Sequence, residues 1–358
     1  MYDVVGICAP CMDLNLNLAN FPAQGLSEGI KQLSWQGGNK VSSGMVACAR
    51  LGAKCAIMGS AGDDIFGHFI VSDFKRHSID TSAMKIKTGE NSSLAVVLSE
   101  AAEGSRTFLF RGGDGAHYDH DNINANMLRG AKYFYICQAD EVVCRAVDIA
   151  RGAGTEIFVD ADTYCAEMVD LIPKIDIFVG SEFFYKAMFG DGNPHLNAAS
   201  AVGQRGGEAD GVEQGFAVRN EGDWGCNPHL YESNCRKIMD MGPQVVLFTF
   251  GEKGCVGVSS DGFFTMPAFQ VDVVDTVGAG DVFHGAFLAG LVKGRMVQDA
   301  ARFASAVAAI KCTRIGGRAG IPSLETAERF LQDGFIDYTE IDERVKFYER
   351  GLENYAKN

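Results

Sequence analysis

The chain has 358 residues, 47% hydrophobic and 22% charged, which is enough apolar content for one large α/β domain or two smaller ones. Its 32 Lys and Arg against 46 Asp and Glu leave a net charge of -14, which argues against a surface built to collect nucleic acid or anionic lipid. No apolar run reaches the roughly 18 residues of a membrane span, and the cysteines are scattered from Cys8 to Cys312 with no apolar leader before them, so a reducing cytoplasm is expected.

Residues 3–9 form a short apolar run without helical period and predict a buried first strand. Cys8 and Cys11 make one CxxC, but a structural zinc site needs two further ligands at similar spacing, so both read as buried thiols. From Leu14 to Trp35 apolar and polar residues alternate loosely around Pro22 and Gly25, the pattern of half-exposed antiparallel strands and of a small lid. Gly37 and Gly38 open a segment of small residues, and 42–51 predicts a helix packed closely on a sheet and stopped by Gly52. A strand over 56–59 and a helix over 65–77 follow, then a hairpin of 94–98 with 107–110 around a Glu-Gly turn. Apolar strands at 133–137, 156–159, 175–179 and 245–250, each separated by a helical stretch, predict a mostly parallel sheet covered on both faces: a three-layer α/β core.

From Gly190 to Gly225 the chain is rich in Gly, Ala and Asn and has no sustained period. Asn193-Pro194-His195-Leu196 recurs as Asn227-Pro228-His229-Leu230, which reads as an insertion bounded by a duplication, or else as a chance repeat beside a surface loop. The last stretch, 336–355, predicts a charged amphipathic helix with Ile341, Val345, Tyr348 and Leu352 on one face, docked on the core.

The sharpest segment is Val271 to Gly290, VDVVDTVGAGDVFHGAFLAG, where an apolar strand is expected to run into a Gly-rich turn and an apolar helix. Gly278 and Gly280 permit a tight turn whose amides converge, and the helix adds its positive N-terminal end, so the turn reads as an anion hole. Asp281 sits among those amides, ionised and poised to accept a hydroxyl proton; a helix-capping Asp beside a structural turn is the alternative. An alcohol is far less acidic than a carboxylate, but a loose phosphoryl-transfer transition state lets the proton leave late, so position counts more than matched pKa. No GxxxxGK[ST] and no GxGxxG between strand and helix competes for the phosphates.

The run DTVGAGD resembles the C-terminal signature of ribokinase-like (PfkB) sugar kinases, and GG followed by ARLGA and by GSAGDDIFG (59–67) resembles the N-terminal one. FTFGEKG (248–254) resembles that family's strand and turn beside ATP, and RIGGRAGIP (314–322) its closing loop. The resemblance implies a ribokinase-like three-layer α/β/α sandwich with a central, mostly parallel sheet and a small β lid. One kinase domain would span 1–335, with lid segments at about 12–36 and 88–116 and the insertion at about 191–227, followed by a C-terminal helical extension over 336–358. It implies ATP and Mg2+ as cofactors and a sugar as acceptor, with Asp281 as base and Gly278, Ala279 and Gly280 as anion hole. By the same resemblance Asp13, Gly38, Asn39 and Ser43 lie at the sugar, and Thr249, Gly251, Gly254, Ser305 and Gly317 near the nucleotide. Asp275 with the carbonyls of Val277, Lys311, Arg314 and Gly316 resembles the family's monovalent-cation loop, which implies K+.

The chain also departs from the family. Members often carry Asn-x-x-Glu where this sequence reads Gly180-Ser181-Glu182-Phe183-Phe184, so Ser181 replaces the Asn and Phe184 the Glu that helps order magnesium. Glu182, or a carboxylate of Asp160-Ala161-Asp162, is the candidate replacement for a divalent ion, and Glu at 184 would strengthen ion use unless Phe184 is a buried packing residue. Cys11 and Ser43 fall where ribokinases proper tend to carry Asn, which disfavours a plain ribokinase. A nucleoside kinase, its base held by lid aromatics such as Phe21 and Trp35, and a kinase-derived binding protein both stay open, as does a homodimer formed through exposed lid edges.

Overall fold

A computed structural model of the chain describes residues 1–100, 106–190 and 228–354. The expected Glu-Gly turn of the hairpin and the proposed insertion lie outside these described residues, apart from Gly190 at its start and the helix that follows it.

Strands buried on both faces read as continuous apolar runs, and such runs build the middle of the central sheet. Seven of its strands are parallel: β1 (Tyr2–Cys8), β4 (Cys55–Gly62), the half-exposed edge strand β5 (Asp80–Lys87), β8 (Ala131–Ile136), β9 (Glu156–Ala161), β10 (Ile177–Ser181) and β11 (Val245–Thr249). Two short antiparallel strands, β12 (Cys255–Ser259) and β13 (Gly262–Met266), extend the β11 edge, giving a nine-stranded sheet of order β13-β12-β11-β10-β9-β8-β1-β4-β5.

The two-residue period of a strand sorts its side chains between the faces. In β8, Tyr133 and Tyr135 enter one core while Phe134 and Ile136 enter the other. The first core is covered by α1 (Lys40–Arg50), α2 (Ile65–Arg76), α8 (Ala279–Val292), α9 (Val297–Cys312), α10 (Leu324–Asp333) and α11 (Thr339–Arg350). The second is covered by α3 (Ala125–Arg129), α4 (Glu141–Gly152), α5 (Ala166–Leu171), α6 (Glu182–Phe189) and α7 (Pro228–Met239). The three layers follow from this division.

The small residues of α1 allow a close crossing. A side chain at Gly44 would meet Tyr135 and one at Gly285 would meet the Gly44 backbone, while Cys48 Sγ donates to Gly285 O at 3.0 Å. The lid is a four-stranded sheet of β2 (Cys11–Leu18), β3 (Ile30–Gly38), β6 (Ser93–Glu100) and β7 (Arg106–Arg111), ordered β3-β2-β6-β7, with β2 parallel to β6 and the other pairs antiparallel.

The apolar strand expected after Val271 does not form, because the amides of Val274 and Asp275 both donate to Cys312 O, at 2.8 and 3.1 Å, and Val273 is left exposed. The C-terminal helix does dock: Ile341, Val345 and Tyr348 of α11 are buried, and Leu352 packs partly against the same core. Its Tyr348 hydroxyl donates to Asp73 Oδ1 of α2 at 2.8 Å, and Asp73 Oδ2 accepts from Arg318 Nη1 at 2.6 Å.

Candidate functional site

The site forms where the end of β9, the starts of α1 and α8 and the root of the lid meet. Gly278 precedes α8 at φ 71°, a left-handed conformation that costs a side-chain-bearing residue about 1 kcal/mol or more. It also has no room for a side chain, since a Cβ would lie 2.8 Å from Gly317 Cα. Ala279 N donates to Thr276 O at 3.1 Å, and by position the amides of Gly280 and Asp281 have no intrahelical acceptor. Gly280 is exposed with open space around it. The turn therefore presents the positive end of a helix to an accessible spot.

Asp281 lies in the first turn of α8, half-buried. Burial, then the Asp160 carboxylate at the end of β9, push its pKa up to about 6, against the pull of Lys40 and His284. Asp160 is buried; Tyr135 Oη donates to its Oδ2 at 3.3 Å, and His284 Nδ1 lies 3.0 Å from the same oxygen, close enough to pair but without hydrogen-bond alignment. Burial alone would lower the His284 pKa, but Asp160 and Asp281 outweigh it and hold the imidazole up. Lys40, first residue of α1, pairs with Asp162 Oδ2 at 2.7 Å; burial opposes its charge, and Asp162 and Asp160 more than restore it.

The residues expected at the sugar gather at the lid root. Asp13 of β2 lies against Gly38, where any Cβ would overlap its carboxylate, and Cys11 Sγ donates to Asp13 Oδ1 at 3.0 Å. Burial pushes Asp13 up to about 6, against the Cys11 hydrogen bond and the Arg318 charge. Asn39 holds φ 88°, and its Oδ1 is buried without a partner among the described residues, a strained acceptor awaiting a donor. A side chain at Gly317 would meet the Oγ of buried Ser43 of α1, and one at Gly278 would meet Gly317 Cα, so the residues at the lid root and the turn before α8 are contiguous.

The remaining predicted residues fall into three groups. Of those expected near the nucleotide, Thr249 ends β11 with Oγ1 3.4 Å from Gly180 O, and Gly251 is exposed at φ 57°. Gly254 is buried with its Cβ position against the Met266 backbone, and Ser305 is buried in α9 beside Cys255, so neither is open to solvent. The loop after α9 closes on Asp275: Val277 N and Gly316 N donate to its carboxylate at 2.9 and 2.8 Å, and Lys311 Nζ to its carbonyl at 2.8 Å. The Arg314 side chain donates to Asp342 Oδ1 of α11 at 2.7 Å.

Glu182 pairs with Lys186 one turn along α6 and joins no cluster of metal-ligating side chains among the described residues. Phe184 is fully buried between Tyr164 and Phe178, at ring distances of 5.3 and 5.2 Å. Its position is therefore part of the core, and a Glu there would be an unpaired buried charge instead of a magnesium ligand.

Sequence reading missed Lys40, His284, Arg106, Gln36 and the Arg318–Asp73–Tyr348 chain. Lys40 had a local signal, a cation directly after Gly38-Asn39. Arg106 had none: its Nη1 reaches from β7 of the lid to Thr276 Oγ1 at 3.1 Å, and so closes the lid over the turn. Gln36 of β3 accepts from Arg318 N at 2.6 Å and Ala319 N at 3.1 Å and donates to Ile315 O at 3.0 Å, tying the lid root to the loop that backs Gly278.

Comparison with known proteins agrees with this geometry. The pfkB family carbohydrate kinase profile matches residues 2–214 and 227–324. The chain is 25% identical over 352 residues to the 5-dehydro-2-deoxygluconokinase of Clostridium perfringens, covering 95% of this chain and 96% of that one. It is 26% identical over 314 residues to probable fructokinase-3 of Arabidopsis thaliana, covering 80% of each. Among solved structures, a putative ribokinase II of E. coli in complex with ATP and Mg2+ superposes with a TM-score of 0.69 at 20% identity, over 93% of this chain and 99% of that one. The chain belongs to the pfkB family of carbohydrate kinases.

Proposed function

We propose that the protein transfers the γ-phosphoryl group of ATP to a hydroxyl of a sugar or sugar acid, with Asp281 as general base. The observation that carries this reading is the placement of Asp281 in the first turn of α8, behind the left-handed Gly278 and beside the open space at Gly280. There a carboxylate can take the acceptor proton while the helix start stabilises charge gathering on the transferred group. Asp13 and the orphaned Oδ1 of Asn39 are the acceptors for sugar hydroxyls, backed by Gly38 and Ser43. Thr249, Gly251 and Gly317 line the nucleotide side, with Gly254 and Ser305 behind them. Magnesium supplies neutralisation of phosphate charge when it arrives on the nucleotide, and Asp160 and Asp162 are the carboxylates beside Asp281 that would face it.

The testing experiment is acceptor-dependent ADP release from Mg-ATP over a panel of ketohexoses, pentoses, sugar acids and nucleosides. The names of the relatives put sugar acids and ketohexoses first. Turnover with one of these classes is expected; turnover with nucleosides alone would redirect the reading, and none at all would end it.

Because Asp281 must be ionised to accept a proton, kcat/KM is expected to rise with pH through about 6 and level off above. Asp13 titrates in the same window, so the limb belongs to both carboxyls. A rate independent of pH from roughly 5 to 8 would contradict the base assignment.

The outer lid strand β7 presents Phe108, Leu109 and Phe110, 53, 57 and 55% exposed, along an edge with no neighbour among the described strands. An apolar, unpaired edge supports pairing of two lids in a homodimer. Light scattering behind size exclusion is expected to return twice the chain mass, and a chain that stays monomeric at all accessible concentrations would rule this out.

A further inference from the structure

Lys311 is the penultimate residue of α9 and is completely buried. A buried ammonium needs an anion and hydrogen-bond acceptors to hold it. Its Nζ donates to the main-chain carbonyl of Asp275 at 2.8 Å, and Asp275 is itself buried. Two of the groups that the sequence resemblance assigned to a monovalent cation, the Asp275 carboxylate and the Lys311 carbonyl, already accept hydrogen bonds. Asp275 Oδ1 and Oδ2 accept from Val277 N and Gly316 N, Asp275 O from Lys311 Nζ, and Lys311 O from Arg314 N at 3.2 Å. A metal cation here would compete with the ammonium for the same carbonyl and be repelled by it. The loop therefore does not fit a monovalent ion; it fits the lysine already in it.

We propose that the Lys311 ammonium is a built-in counter-cation that fixes the Asp275–Val277 turn leading into Gly278 and Asp281, so that turnover needs no K+. Lys311 is thus a positioning residue: it reaches Asp281 only through the turn, holding Asp275 while Gly316 closes the other side. This rests on the kinase reading above.

The test compares initial rates with Mg-ATP and an acceptor in tetramethylammonium chloride and in KCl at equal ionic strength. The wild-type rates are expected to agree within about threefold. A larger rise in K+ overturns the proposal, whereas absence of turnover in both salts fails the kinase reading instead. Melting of the unliganded chain in the same two salts gives a second readout: no K+-specific rise is expected for the wild type, and a rise of several degrees would overturn the proposal by itself. Lys311→Met keeps the length and removes the charge. It is expected to lose about tenfold or more in kcat without K+ and to gain partial recovery and a K+-dependent melting rise, because the vacated carbonyl then accepts an ion. A folded Lys311→Met enzyme with full K+-free activity overturns the positioning role; if the variant does not fold, the two wild-type comparisons still decide.

Discussion

Replacing Asp281 by Asn is expected to lower kcat by at least about 10²-fold while leaving the fold intact. Asn preserves the shape of the side chain and its place in the first turn of α8, but it cannot take the acceptor proton. It also removes one of two neighbouring carboxylates, since burial and then Asp160 are what push Asp281 up to about 6. Losing that repulsion should leave the melting temperature unchanged or raise it. A loss of activity together with a lower melting temperature would point to misfolding instead, and near-normal turnover by a folded variant would remove Asp281 from the role of base. The acidic limb of the pH profile is a partner test, because the residual activity of the variant should no longer carry the Asp281 contribution.

The second large effect is expected at Arg318, which lies behind the site. Its side chain is completely buried, with Nη1 on Asp73 at 2.6 Å, Nη2 on Ser42, and the guanidinium 5.3 Å from the Phe74 ring. Asp73 in turn accepts from Tyr348 of the C-terminal helix, whose hydroxyl lies 3.0 Å from His77 Nε2. Arg318→Met keeps most of the volume and leaves Asp73 as an uncompensated buried charge, so a loss of about 3–5 kcal/mol is expected in denaturant titration. Removing Asp73 as well, as Arg318→Met with Asp73→Leu, should restore much of that loss, because the unpaired charge is then gone. A double variant no more stable than the single one would show that the pair is not the source of the effect. Gly317 packs on Gly278, so the single variant should also slow turnover. Through this chain α11 braces the anion turn.

The parallel core was legible because strands buried on both faces are unbroken apolar runs; β8, β9, β10 and β11 announce themselves this way. Three strands were not. β5 is half-exposed and mixes Lys and Asp with its apolar residues, and β12 and β13 are short runs of five carrying internal or leading glycine. The stretch after Val271 failed in the opposite sense: its valines look like a strand, but its amides go to the end of α9.

The Gly278–Asp281 turn was legible because a left-handed glycine before a helix is a local property of the sequence. The Arg318–Asp73–Tyr348 chain was not, since its members lie 245 and 275 positions apart and meet only through the fold. For the same reason Phe184 could be read as a lost magnesium ligand until its ring was seen packed between Tyr164 and Phe178. Lys311 is the reverse case: its backbone was picked out and its side chain overlooked.

Phosphorylation of a sugar-type hydroxyl, with Asp281 taking the proton, leaves a product that can be seen directly. Phosphorus NMR of a reaction of Mg-ATP with the best acceptor of the panel, run side by side for the wild type and Asp281→Asn, tests it most directly. A new sugar phosphomonoester signal is expected to grow in step with ADP for the wild type and to be nearly absent for the folded variant. ADP and inorganic phosphate without a phosphomonoester, or equal phosphomonoester from both proteins, would contradict it.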